Sequence, residues 1–294
     1  MGPRRATARR SNLSRMNANL LALGAIALWA SLAALGVALS HVPPFLLTGL
    51  SLLVGSLIAL PLSRFDLRQW RVPASMLALG VYGLFGFHFL LFIALRHAPP
   101  VPANLVNYLW PLGIVVMAPL FLPGVSLTSR HIFAALLGFA GAALAILGGT
   151  GDTGDVRWAW GYVPALASAF IWASYSLMTK RVRVFPTAAI GSFALLSGAL
   201  SLLCHVLLEP AASLSSRDML LIAVLGLGPL GGAFFLWDAA LKRGDARQIG
   251  VLSFLTPLLS TLTLLLVRGE MPSPAIGLAA LMIVGAAVMA TRPD

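Results

Sequence analysis

Charge is what this chain has least of. Asp, Glu, Lys and Arg make up 10% of its 294 residues and only nine are acidic, whereas soluble domains carry about 25% charged residues. Cysteine occurs once, as Cys204, which excludes an intramolecular disulfide and a thiolate metal cluster. The chain also lacks Gly-x-Ser-x-Gly and His-Glu-x-x-His patterns and paired aspartates within apolar segments, so an intramembrane hydrolase has no nucleophile or metal to work with. No ring of like charges or filter-like segment supports a channel. What fills the chain instead is apolar: 59% hydrophobic residues and a mean hydropathy of +0.92.

A membrane helix needs about 20 apolar residues. Ten runs qualify, at roughly 17–38, 44–62, 73–95, 102–122, 131–148, 158–178, 186–208, 219–241, 248–267 and 274–291. Breakers such as Pro43-Pro44, Pro99-Pro100 and Gly148-Gly149 separate them. Such a count predicts an all-α polytopic membrane protein. It leaves no room within these residues for a nucleotide-hydrolysing domain or a Rossmann-type cofactor domain, so no cofactor is expected.

The net charge of +11 invites a nucleic-acid reading, but its distribution argues against one. With the N-terminus cytoplasmic, all but four of the twenty basic residues fall in cytoplasmic segments, the exceptions being Arg96, Arg157, Arg217 and Arg268. That is a positive-inside bias over short loops, and it puts both termini of an inner-membrane protein in the cytoplasm. Arg9-Arg10 ahead of the first run resembles a secretory or twin-arginine signal, with Ala38-Leu39-Ser40 as a conceivable cleavage site. The run is longer than a signal core and nine others follow it, so it is expected to remain as a span.

The chain also repeats itself. Residues 89–120 align without a gap on 235–266, an offset of 146. Pro111 meets Pro257 in mid-span, and Arg96 meets Lys242 at the end of the preceding helix. Trp29-Ala30-Ser31 in the first span matches Trp172-Ala173-Ser174 in the sixth. The expected organisation is a basic cytoplasmic tail (1–16), a five-helix repeat (17–148), a Gly/Asp/Thr linker (149–157) and a second five-helix repeat (158–291). Because five is odd, the second repeat enters the membrane from the opposite side, which makes the repeats inverted. That arrangement is typical of secondary transporters, whose substrate site lies between the halves.

With its five-plus-five repeat, paired Trp-Ala-Ser, mid-helix Pro111 and Pro257, and glycine-rich fifth and tenth spans (Gly138, Gly141, Gly277, Gly285), the chain resembles the drug/metabolite transporter superfamily (EamA-type permeases) over about residues 17–291. Its aromatic-rich spans are most similar to the YddG-type exporters of aromatic and other neutral amino acids. The resemblance implies a carrier for a small neutral solute, with no enzymatic activity and the lipid bilayer as its surroundings, expected to act as a monomer.

Candidate site residues follow from the cost of polarity in a membrane. Asp238 is four residues before Lys242, which suits an ion pair; a proton or substrate-amine site is the other reading of Asp238, and the ion pair is favoured. His88 lies deep in the third span. Asn104, Asn107, Tyr108 and Pro111 share one helical face, repeated more weakly by Gly250, Ser253, Phe254 and Pro257. The sixth span offers Ser168, Trp172, Tyr175, Ser176 and Thr179, and the third an aromatic stripe of Tyr82, Phe85, Phe89 and Phe92. Trp29, Tyr82, Trp172 and Trp237 sit too deep for interfacial anchors, the role expected of Trp70, Trp158 and Trp160. The expected substrate-binding set is Trp29, Tyr82, His88, Asn104, Asn107, Tyr108, Trp172, Tyr175, Trp237 and Ser253. Pro111, Pro257, Gly228, Pro229, Gly231 and Gly232 are expected hinges. Rings and amides with almost no charge suit a neutral or zwitterionic solute.

Overall fold

A computed structural model describes residues 3–150 and 159–291, with side chains described from Asn17 and not at 149–150. Trp158, Arg157 and most of the expected linker lie outside the described residues.

Among the described residues every regular element is helical. Helix α1 (Pro3–Ala30) runs through the basic segment before residue 17 and continues after Ser31 as Leu32–Ala38. Helix α2 is Pro44–Ser56 with a last turn at Ala59–Leu62, and α3 is Ala74–Val81, a wide π-turn at Tyr82–Gly86, then Phe87–His97. Helix α4 is split into Pro100–Asn107 and Trp110–Phe121, and α5 is Ser129–Thr150. The second half repeats this as α6 (Tyr162–Arg181), α7 (Ile190–Leu208), α8 (Ser216–Leu227, π-turn Gly228–Gly232, Ala233–Arg243), α9 (Ala246–Leu252 and Leu255–Arg268) and α10 (Pro274–Thr291). Nine of the ten are long and apolar enough, among the described residues, to cross a membrane on composition alone. Helix α6 falls short because it carries Ser168, Ser174, Tyr175, Ser176 and Thr179, all buried inside the bundle. It is shielded by its neighbours, so it need not be apolar.

The packing has two-fold logic. Helix α2 packs on α7, α4 on α9 and α5 on α10, each against its own counterpart; α1 on α8 and α3 on α6 exchange under the same operation. The α2–α7 crossing is close because both helices present glycine. A Cβ at Gly49 would lie 3.1 Å from the Gly198 carbonyl, and one at Gly198 3.0 Å from that of Gly49. Small residues bring membrane helices into dispersion contact where no hydrophobic effect operates.

The irregularities are repeated as well. The two π-turns begin at Tyr82 and Gly228, the same offset of 146 that aligns the downstream sequence. The breaks in α4 and α9 fall at Tyr108–Leu109 and Ser253–Phe254, just ahead of Pro111 and Pro257. A proline has no N–H to give the carbonyl four residues back, so Asn107 and Ser253 lack that donor and the segments stop at Asn107 and Leu252. One expectation needs correcting. Phe89 packs with Phe85 and, 5.6 Å between centroids, with Phe45 of α2, whereas Tyr82 turns to Ser174 of α6 and does not continue the stripe. The π-turn inserts one extra residue, and at 3.6 residues per turn that rotates the register by about 100°.

Candidate functional site

A cavity of about 910 Å³ lies at the centre of the bundle, within the usual range for small-molecule sites. It reaches the end where α1 and α3 finish and α2 and α4 begin, past Gly36, Val37, Thr48, Leu95 and Pro100. Its lining contains no Asp, Glu, Lys or Arg.

Tryptophans form its floor. The Trp29 ring lies 5.8 Å from Trp172, 6.2 Å from Trp110 and 5.2 Å from Trp237. Phe234 joins them at 5.6 Å from Trp172. Edge-to-face contacts of this kind add about 0.5–1.5 kcal/mol each beyond simple burial. Two indoles are tethered: Trp29 Nε1 donates to the Pro229 carbonyl at 3.1 Å, and Trp237 Nε1 to Ser176 Oγ at 3.1 Å. Pro229 lies in the α8 π-turn, where the widened ladder leaves a carbonyl in need of a donor.

His88 has a similar task in α3. Its Nδ1 is 2.6 Å from the carbonyl of Leu84, inside the other π-turn. A carbonyl can only accept, so Nδ1 carries the hydrogen. In the neutral ring Nε2 is then an acceptor, among Phe87, Phe92 and Phe234.

The opposite wall is polar without being charged. Asn107 accepts from Ser168 at 2.9 Å, and its NH₂ has no partner among the described residues. Asn104, the Tyr108 hydroxyl, the Ser260 hydroxyl and the indole N–H groups of Trp110 and Trp172 make no hydrogen bond with any described residue, while Thr256 Oγ1 is buried without a partner. Unpaired polar groups inside a membrane protein are costly, and here they converge on one space.

Of the expected substrate-binding set, Trp29, His88, Asn104, Asn107, Tyr108 and Trp172 line the cavity. Four do not. Tyr82 hydrogen-bonds Ser174 at 2.8 Å, Tyr175 packs behind Trp172, Trp237 lies beneath the floor, and Ser253 donates to its own helix at Ile249. Phe87, Trp110, Phe234, Thr256 and Ser260 line it but were not singled out in the sequence. Trp110 could have been found, since it follows Asn107 by three residues on the same face.

At the far end the bundle is closed by a polar network. Asp238 Oδ2 accepts from Lys242 at 2.6 Å and Thr187 at 2.7 Å, so the favoured ion pair is present. Lys242 also donates to the Phe185 carbonyl at 2.9 Å and stands 3.7 Å above that ring. Lys180 ties α6 to α8 by donating to the carbonyls of Leu241 and Gly244. Beside it, burial pushes the Asp245 carboxyl up, but the Arg247 guanidinium and amide more than reverse this and hold it below the usual carboxylate range. A second network was invisible in the sequence. Glu209, with its side chain fully buried, accepts from the Phe45 and Leu46 amides that begin α2 and pairs with Arg96 and His205.

Ten membrane helices in two inverted halves, a central uncharged cavity and a closed opposite end define a membrane transporter of the secondary type. The chain belongs to the EamA-like transporter family, which matches residues 16–147 and again 159–292. It is 42% identical over 283 residues to the aromatic amino acid exporter YddG of Ancylobacter novellus, covering 95% of this chain and 98% of that one. It is 27% identical over 263 residues to the aromatic amino acid exporter YddG of Escherichia coli, covering 85% and 88%. A solved crystal structure at 42% identity superimposes with a TM-score of 0.86 over 93% of this chain and 95% of the other.

Proposed function

We propose that this protein carries aromatic and other bulky neutral amino acids across the inner membrane by alternating access, as an exporter or facilitator. The observation that carries the reading is the two-walled cavity: tryptophan and phenylalanine rings on one side, and the unbonded groups of Asn104, Asn107 and Tyr108 on the other. A side-chain ring stacks on the first, while the amino and carboxylate groups of a zwitterion find donors and acceptors on the second. The absence of a carboxylate from the lining disfavours cationic drugs. The similarity to exporters named for aromatic amino acids supports the same class.

With the positive-inside orientation, both termini are cytoplasmic and the cavity faces outward, with the Asp238–Lys242 end as the closed cytoplasmic gate. Coupling to an ion gradient is weak or absent, because the one carboxylate in the path is already paired with Lys242. The protein acts as a monomer and performs no covalent chemistry on its solute. The test is flux in proteoliposomes containing only this protein. Saturable phenylalanine or tryptophan transport with counterflow, unaffected by an imposed pH gradient, is expected. Stronger inhibition by ethidium-like cations than by phenylalanine would overturn the substrate assignment, and unsaturable flux would overturn the carrier.

A further inference from the structure

The two halves share the π-turns of α3 and α8 and the breaks of α4 and α9, but their side chains differ at the closed end. The offset of 146 that superimposes the π-turns places Asp238 at the position of Phe92 and Trp237 at that of Leu91. The paired Trp-Ala-Ser places Lys180 at the position of Val37, Thr179 at Gly36 and Ser176 at Ala33. All five counterparts — Ala33, Gly36, Val37, Leu91 and Phe92 — line the open cavity. When an inverted-repeat carrier changes state, each half takes up the conformation of the other. In the opposite state Asp238 and Lys180 therefore hold the wall positions that Phe92 and Val37 hold now.

We propose that the Asp238–Lys242 pair, with Lys180, is a second binding site: an entry site for the charged end of a zwitterionic amino acid on the face opposite the present cavity. It rests on the amino-acid reading above. Asp238 is 3% exposed, and only its Oδ2 is engaged; Oδ1 is buried with no partner among the described residues. When α8 parts from α6 and from the turn that leads into α7, Lys180 loses the carbonyls of Leu241 and Gly244, and Asp238 loses Thr187. The pair then offers a carboxylate to an α-ammonium and two ammonium groups to an α-carboxylate, complementary to a zwitterion in both signs. Lys242 remains with Asp238 because the two are one turn apart on α8. The lining of the present cavity has no such groups, and Arg96, the counterpart of Lys242, is paired with Glu209 outside that lining. The two faces therefore recognise the solute differently, one by its charged end, the other by its ring and hydrogen-bonding groups.

The experiment is transport from each face of oriented proteoliposomes. In the wild type, phenylalaninamide, which lacks the carboxylate, should compete with phenylalanine much less well from the Asp238 face than from the cavity face. Asp238→Asn and Lys242→Gln should each raise the KM from the Asp238 face roughly tenfold, the scale of one charged hydrogen bond, and change the opposite KM far less. If neither variant folds, the wild-type comparison alone decides. Equal discrimination against the amide at both faces, or equal KM changes at both faces, would overturn the entry site while leaving the carrier reading intact. Wild-type protein that moves no amino acid from either face would remove both.

Discussion

Replacing Glu209 by alanine should destabilise the bundle by about 2–4 kcal/mol while leaving solute recognition alone. The carboxylate accepts from Phe45 N at 2.9 Å and Leu46 N at 3.2 Å, both in the first turn of α2, and pairs with Arg96 at 2.9 Å. Hydrogen bonds to a charged group contribute about 1.5–3 kcal/mol each, and substituting a helix cap costs about 0.5–2 kcal/mol. The Arg96 pairing is the smaller part. Its side chain is 41% exposed and can turn to water, which limits the ion pair to about 0–1 kcal/mol. Its position over the Phe45 ring adds a similar amount at most. The order of effects is therefore Glu209→Ala well above Arg96→Ala, with Glu209→Gln in between because it keeps an acceptor for the α2 amides. Denaturant unfolding in bicelles would measure all three, and a double-mutant cycle would isolate the pair. An Arg96→Ala loss equal to that of Glu209→Ala would refute the assignment of the energy to the α2 terminus, as would a neutral Glu209→Ala. Glu209 lines no part of the cavity, so the KM of the folded variant should stay near the wild-type value.

Trp172→Ala and Tyr108→Ala are expected to lower amino-acid flux without preventing membrane insertion, read from proteoliposome uptake beside the yield of folded protein. Gly83→Ala should reduce folded yield on size-exclusion chromatography, since its Cβ would lie 2.3 Å from the Tyr175 ring. Trp29→Phe keeps a ring but deprives the Pro229 carbonyl of its donor, and should cost about 1–3 kcal/mol in the same unfolding assay. The Asp245–Arg247 clasp lowers the folded-state pKa, so its stabilisation is complete above the unfolded carboxylate value of 3.8 and fades as pH falls below it. The difference in stability between wild type and Asp245→Asn should therefore shrink on acidification through that range.

The membrane spans, the duplication and six of the residues that line the cavity were legible in the sequence because each leaves a local mark: an apolar run, a repeated tripeptide, amides spaced along one helix. The Asp238–Lys242 pair was legible for the same reason, being one turn apart. Residues whose role depends on what lies across the bundle were not. Glu209 follows α7 in what reads as an ordinary loop, and only the fold brings it to the start of α2. Tyr82 and Trp237 had the depth expected of substrate contacts, yet their polar atoms are taken by Ser174 and Ser176 on α6. The π-turn is the other cause. Its glycines are visible, but the one-residue slip that turns Phe87, His88 and Phe92 toward the cavity, and Phe85 and Phe89 away from it, is not.

The paired π-turns also hold the two halves to one shape. A helix that gains a single residue absorbs it as a π-turn, bulging locally while the flanking turns keep their packing. Two helices bulged at the same register, Tyr82–Gly86 and Gly228–Gly232, give each half the same wide turn at the same depth in the bundle. Side chains are free to differ where the backbone repeats, with Asp238 opposite Phe92 and Lys180 opposite Val37. The backbone thus keeps the two halves interchangeable in shape, while the side chains at the closed end make them unequal in chemistry.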